Sequence, residues 1–126
     1  MGLKMLVSNS CNLLYFVWRI EPEEKLMVTL KRNPGQTLHK ECGARGYHHV
    51  AGDYFSKYGL TAKDRKTHKL LVKIYEINQV PAYSVWVDQQ KIQSGTIDPD
   101  LLGGIDGPVG IRSDNGKFTF KLFVSD

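Results

Sequence analysis

The chain has 126 residues, enough to close one hydrophobic core and too few for two, so a single domain over 1–126 is expected. Hydrophobic residues make up 41% and charged residues 24%, which excludes a disordered chain. The net charge of +4 is a mild excess, and even the densest basic run, Lys63-Asp64-Arg65-Lys66-Thr67-His68-Lys69, carries an acid, so it reads as a solvated loop and nucleic acid is not the expected partner.

Residues 3–7 are interrupted by Lys4 and run into Ser8-Asn9-Ser10, which leaves no apolar core for a signal peptide. The longest apolar run, 13–18, is too short to span a bilayer, and no membrane partner is expected. The chain reads as cytoplasmic if full length and extracellular if excised from a larger secreted protein. Cys11 and Cys42 fit no zinc spacing and are too few for a disulfide framework. Buried free thiols are the expectation, with a disulfide between them the alternative for an exported protein.

Residues 13–20 are aromatic and branched, and Glu21-Pro22-Glu23-Glu24 breaks them from Leu26-Met27-Val28-Thr29-Leu30, a hairpin signature. Leu26, Val28 and Leu30 share one face by period-2 alternation. After the turn at Asn33-Pro34-Gly35, strands are expected over 36–42 and 47–50, reversed through Gly43-Ala44-Arg45-Gly46. A helical turn is expected within 52–59 and a surface loop over 60–67. Residues 69–77, apolar on both sides, read as a central strand. Its hairpin partner, 82–87, places Tyr83, Val85 and Val87 on one face and Ser84 and Trp86 on the other, then turns through Asp88-Gln89-Gln90 into 91–93. Residues 95–108 read as loop. A closing hairpin is expected through Asp114-Asn115-Gly116, with Phe118, Phe120, Leu122 and Val124 as its core face. Several short strands and no long helical periodicity predict an all-β fold, an antiparallel β-sandwich.

The series Lys73-Ile74-Tyr75, Ser84-Val85-Trp86-Val87-Asp88, a Gly-rich loop, and Gly107-Pro108-Val109-Gly110-Ile111 leading to Phe118 resembles the ending of concanavalin A-like jelly-roll domains, the laminin-G, galectin and glycoside-hydrolase-associated lectin group. The hairpin from Phe16-Val17-Trp18 to Leu30-Lys31-Arg32 is similar to the strands that open such domains. The resemblance implies a jelly roll and a lectin-like, carbohydrate-binding role. Two departures accompany it: Gln89-Gln90 stands where a turn glycine is usual, and the galectin sugar-binding pattern is absent. No sugar site is therefore handed over with the fold.

The densest cluster of chemically able side chains is His39-Lys40-Glu41-Cys42 with Tyr47-His48-His49. On a strand, Thr37, His39 and Glu41 share a face, and the hairpin brings His48 or His49 opposite them. Two His and a Glu suit acid/base work, but no spacing matches a recognised metal pattern, and no metal or cofactor is expected. Trp18, Tyr47, Tyr54, Tyr58, Tyr83 and Trp86 offer flat faces for sugar rings, and Arg19, Arg32, Arg45 and Arg112 offer guanidinium forks for an acidic glycan. Glu21, Glu23 and Glu24 sit in a turn that does not favour the raised carboxyl a glycosidase acid requires. Asp98, Asp100 and Asp106 are too few for a calcium shell of about six to eight oxygens. The leading expectation is a non-catalytic module for an oligosaccharide or polysaccharide, with His39, Glu41, Arg45, Tyr47, His48 and Trp86 as ligand contacts. A lyase or hydrolase using His39, Glu41 and His48, and a structural or oligomerising sandwich, are the alternatives.

Overall fold

The computed structural model describes residues 2–64, 66–103, 107 and 110–112. They form two antiparallel sheets. The first takes strands β1 (Gly2–Asn9), β2 (Asn12–Arg19), β3 (Lys25–Lys31), β4 (Tyr47–Tyr54) and β8 (Gly110–Arg112) in the order β4-β3-β2-β1-β8. The second takes β5 (Leu70–Ile77), β6 (Val80–Val87) and β7 (Gln90–Thr96) in sequence order. An α-helical turn, α1 (Pro99–Leu102), follows β7, started by the Asp98 carboxylate accepting from Asp100 N and ended at Gly103 in a left-handed conformation.

Alternation decides which side of each sheet is buried. Leu14, Phe16 and Trp18 of β2 lie opposite Leu30, Val28 and Leu26 of β3, and all six are closed to solvent. In the second sheet Tyr83, Val85 and Val87 point the same way as Val72 and Leu70, and they join the first sheet's residues in a single apolar cluster. Phe16 meets Tyr83 across the gap with ring centroids 5.5 Å apart in an edge-to-face arrangement. Trp18 packs on Phe55 at 4.4 Å, on the short 3-10 helix (Phe55–Tyr58) expected within 52–59. The two sheets thus bury their apolar faces against one another, the physical requirement of an all-β fold.

The 13–20/26–30 hairpin and the 69–77/82–87/91–93 meander form as alternation predicts. Both tight turns of the meander use residues with positive φ, Asn78 (50°) and Gln79 (68°), then Asp88 (50°) and Gln89 (70°). Two left-handed residues in succession match the right-handed twist of the flanking strands, so the glycine missing at Gln89 is replaced by a side chain held in that conformation.

Four expectations are corrected, and one strand, β1 over 2–9, was not anticipated. Residues 69–77, expected as a central strand, lie at the edge of the second sheet beside β6 alone, and Leu71, Tyr75 and Ile77 are exposed. Residues 36–42 are not a strand: they lie in a loop containing a 3-10 turn (His39–Glu41), followed by a second (Ala44–Gly46). Residues 95–108 include the end of β7 and α1 as well as loop. Cys11 and Cys42, expected as free thiols, form a disulfide with Cα atoms 5.3 Å apart. The closing hairpin beyond Arg112 and the position of Asp106 lie outside the described residues.

Candidate functional site

The group expected to converge around residues 39–49 is organised by the disulfide. Asn12 and Asn33, both buried, replace the strand pairing that 33–46 lacks: Asn33 N donates to Asn12 Oδ1 at 2.7 Å, Asn33 Nδ2 to the Cys11 carbonyl at 2.9 Å, and Gly43 N to Asn33 Oδ1 at 3.2 Å. Gly46 lies so close to Asn33 that a Cβ there would collide with the buried Asn33 amide, leaving no room for a larger residue. Within this loop Glu41 Oε1 accepts from Leu38 N at 3.0 Å and closes its own turn. Arg45 is exposed on the second turn. Tyr47 is exposed on β4 beneath the Lys31 ammonium, 5.5 Å from the ring centroid.

The two histidines precede a β-bulge in β4, at Val50, and pair with consecutive residues of β3. His48 lies opposite Leu30 on the core side of the sheet and His49 opposite Thr29 on the outer side. His39 contributes its backbone to the first 3-10 turn. No three His, Cys, Asp or Glu side chains among the described residues form a group able to hold a metal ion. The strand face that would have joined His39, Glu41 and His48 does not form, because the segment carrying the first two is a turn rather than a strand.

Trp86 lies in the second sheet, on the face turned away from the core, half-buried in the middle strand. Leu71 of β5 stands opposite it on one side and Lys91 of β7 on the other. The Lys73 and Lys91 ammoniums sit over the indole at 5.3 Å and 5.7 Å from the centroid. Lys69, Leu71, Lys73, Trp86 and Gln89 line an open depression of about 300 Å³. Sequence alternation found the orientation of Trp86; what it missed were the flanking lysines, which come from two other strands and become neighbours only through the ladder register.

Among the remaining candidates Tyr54 is exposed on β4 beneath the Lys25 ammonium, 5.1 Å from its ring centroid, while several others are committed to structure. Trp18 and Tyr83, proposed as stacking faces, are core residues. Tyr58 Oη donates to the Asp53 carboxylate at 2.7 Å, and the Arg32 guanidinium donates to the carbonyls of Leu102 and Gly103, both at 3.3 Å, at the end of α1. Glu24 accepts from Ala62 N at 2.9 Å, from Trp18 Nε1 at 3.1 Å and from the Thr61 hydroxyl. Burial pushes the Glu24 carboxyl up, but those three donors outweigh it and hold it below the ordinary carboxylate range, the opposite of what a general acid needs.

One further cluster emerges from the run read as a solvated loop. His68 Nδ1 lies 2.6 Å from Asp88 Oδ2 and its Nε2 lies 2.8 Å from Asp64 Oδ1, while its ring edge meets Trp18 at 5.4 Å. Both ring nitrogens can donate only in the imidazolium form. The Asp88 hydrogen bond, then that of Asp64, accordingly raises the His68 pKa above its ordinary value, against a smaller opposing effect of burial. With both nitrogens occupied, His68 is a clamp and not a base. It ties Asp64 to the Asp88-Gln89 turn, and Asp88 Oδ1 also accepts from Lys69 N at 2.9 Å, so the clamp holds the rim of the Trp86 depression.

Among the described residues no helix is long and apolar enough to cross a membrane. The chain matches no family model, no curated protein and no solved structure.

Proposed function

We propose that the protein is a non-catalytic recognition module that binds carbohydrate on the outer face of its second sheet, with Trp86 as the stacking platform. The observation that carries the proposal is a half-buried indole on the central strand, facing an open depression rather than the core. A sugar ring presents an apolar C–H face that packs on an aromatic ring, and a platform fixed by ladders on both sides loses little freedom on binding. Leu71 extends the apolar floor, and the Gln89 amide supplies a donor and an acceptor for hydroxyl groups.

The concanavalin A-like jelly roll belongs to the same proposal. Two antiparallel sheets sharing one apolar cluster support it, whereas the meander order β5-β6-β7 and β4-β3-β2-β1 departs from the Greek-key crossings of a jelly roll. The binding proposal rests on the Trp86 face alone, and residues 39–48, on the first sheet and its connecting loop, are not part of it. The test is calorimetric titration with neutral and acidic oligosaccharides, on the native chain and on Trp86→Ala. Binding in the native chain and a loss of at least about tenfold in the variant, about 1.4 kcal/mol, with the thermal midpoint little changed, is the expected result. Absence of binding to every sugar would overturn the proposal.

A further inference from the structure

We infer that the ligand of the Trp86 face is an acidic linear glycan, one carrying sulfate or carboxylate groups; this deepens the carbohydrate proposal and rests on it. The ladder register assigns the outer face of the second sheet residue by residue. Opposite residues share a face, so Leu71, Trp86 and Lys91 form one row and Lys73, Ser84 and Ser94 the next. Continuing that register, the described outer face carries two lysines and no carboxylate. Lys69 adds a third cation at the rim. The nearest acid, Asp88, is engaged by His68 and by Lys69 N, and among the described residues none of the three lysines pairs with a carboxylate.

The cations converge on the platform itself. Both ammoniums lie over the indole, where a sugar ring would stack. A neutral glycan gains nothing that compensates for pushing them aside. An acidic glycan draws the same two ammoniums onto its own anionic groups, exchanging weak exposed cation–π contacts for charge-assisted hydrogen bonds while its C–H face takes the ring. Tyr75 stands in the row of Ala82, four residues along β6 from Trp86, or roughly 13 Å at strand rise. Its ring is partly exposed and its hydroxyl is fixed at 2.8 Å from Ser84 Oγ, which gives a second, pre-set face further along the same track and favours a ligand several sugars long.

An aromatic ring among lysines on a sheet also suits single-stranded nucleic acid. The Cys11–Cys42 disulfide favours the glycan, because such bonds persist in oxidising compartments and are rare in cytosolic and nuclear proteins.

The experiment titrates the full chain, at about 0.15 M salt, with four probes of similar length: a sulfated oligosaccharide, a polyuronate oligosaccharide, a neutral oligosaccharide and a single-stranded oligonucleotide. The expected result is binding of at least one acidic glycan about tenfold or more tighter than the neutral one, weakening as salt rises. The Lys73→Ala/Lys91→Ala double variant should lose that advantage while keeping the neutral affinity, Lys73→Arg/Lys91→Arg should keep it, and Trp86→Ala should lose both. Which acidic probe binds better identifies the anion. Equal affinity for neutral and acidic sugars, or an unchanged advantage in the lysine variant, overturns this inference and leaves the carbohydrate proposal standing. No binding to any sugar, or tighter binding of the oligonucleotide, overturns both.

Discussion

The two tryptophans show how little residue type decides by itself. Trp18 is closed to solvent against Phe55 with its indole N–H spent on Glu24, while Trp86 faces outward beneath two ammoniums; only their parity along the strands separates them. His68 shows the same at a charged residue, and its surroundings set a pH dependence. The folded His68 pKa is raised, so the stability it contributes is complete below its ordinary value of about 6.5 and is lost as pH rises through the higher folded value. Burial raises Asp88, but the His68 hydrogen bond and Lys69 N–H outweigh it, and Asp64 is lowered first by Lys66 N–H and then by His68. Their contribution is present above about 3.8 and is lost as pH falls below it. The clamp is therefore strongest between those limits. Thermal midpoints measured from pH 5 to pH 9 should fall on the alkaline side in the native chain and stay flatter in His68→Gln. Parallel curves would mean that the clamp does not form in solution.

At the scale of elements, the sequence marked the strands whose alternation is uninterrupted and whose turns are local. The 13–20/26–30 hairpin is one case, and Trp86 was oriented correctly by the other. β1 was illegible because Lys4 interrupts its apolar run and its pairing with β2 shifts between Met5 and Asn9, with Leu6 at a φ of 51°. Residues 36–42 alternate as a strand does, yet are held by a disulfide and two buried asparagines, tertiary partners that local pattern does not report. The site was legible to the same extent: Trp86 from parity, its lysines only from register, and the His68 clamp not at all, because Asp88 lies 20 residues away. The disulfide is the element-scale feature with the largest expected effect. It closes a sequence separation of 31 residues around the β2–β3 hairpin, and a loop of that length corresponds to about 3–4 kcal/mol of lost unfolded-state entropy. Urea midpoints with and without reductant should differ accordingly, and Cys11→Ser/Cys42→Ser should match the reduced protein. Identical midpoints would show that the bridge does not form.

For the molecule as a whole, the binding face depends on a core it does not touch. Outward Ser84 and Trp86 of β6 alternate with Tyr83, Val85 and Val87 of the shared apolar cluster, so Trp86 is positioned by Val85 and Val87, and these in turn by Phe16 and its neighbours. If the shared apolar cluster couples the sheets, neither unfolds without the other. The Trp86→Phe variant leaves Trp18, in the first sheet, as the chain's only tryptophan, so its emission follows one sheet while far-ultraviolet dichroism follows both. The two signals should give the same urea midpoint. Introducing Phe16→Ala into that variant removes a fully buried ring at the contact with Tyr83, which costs about 3–5 kcal/mol, and should move both midpoints together. Separate transitions, or a shift in the tryptophan signal alone, would show two sheets that melt independently. The Trp86 platform would then lack the rigid support from which its affinity is argued.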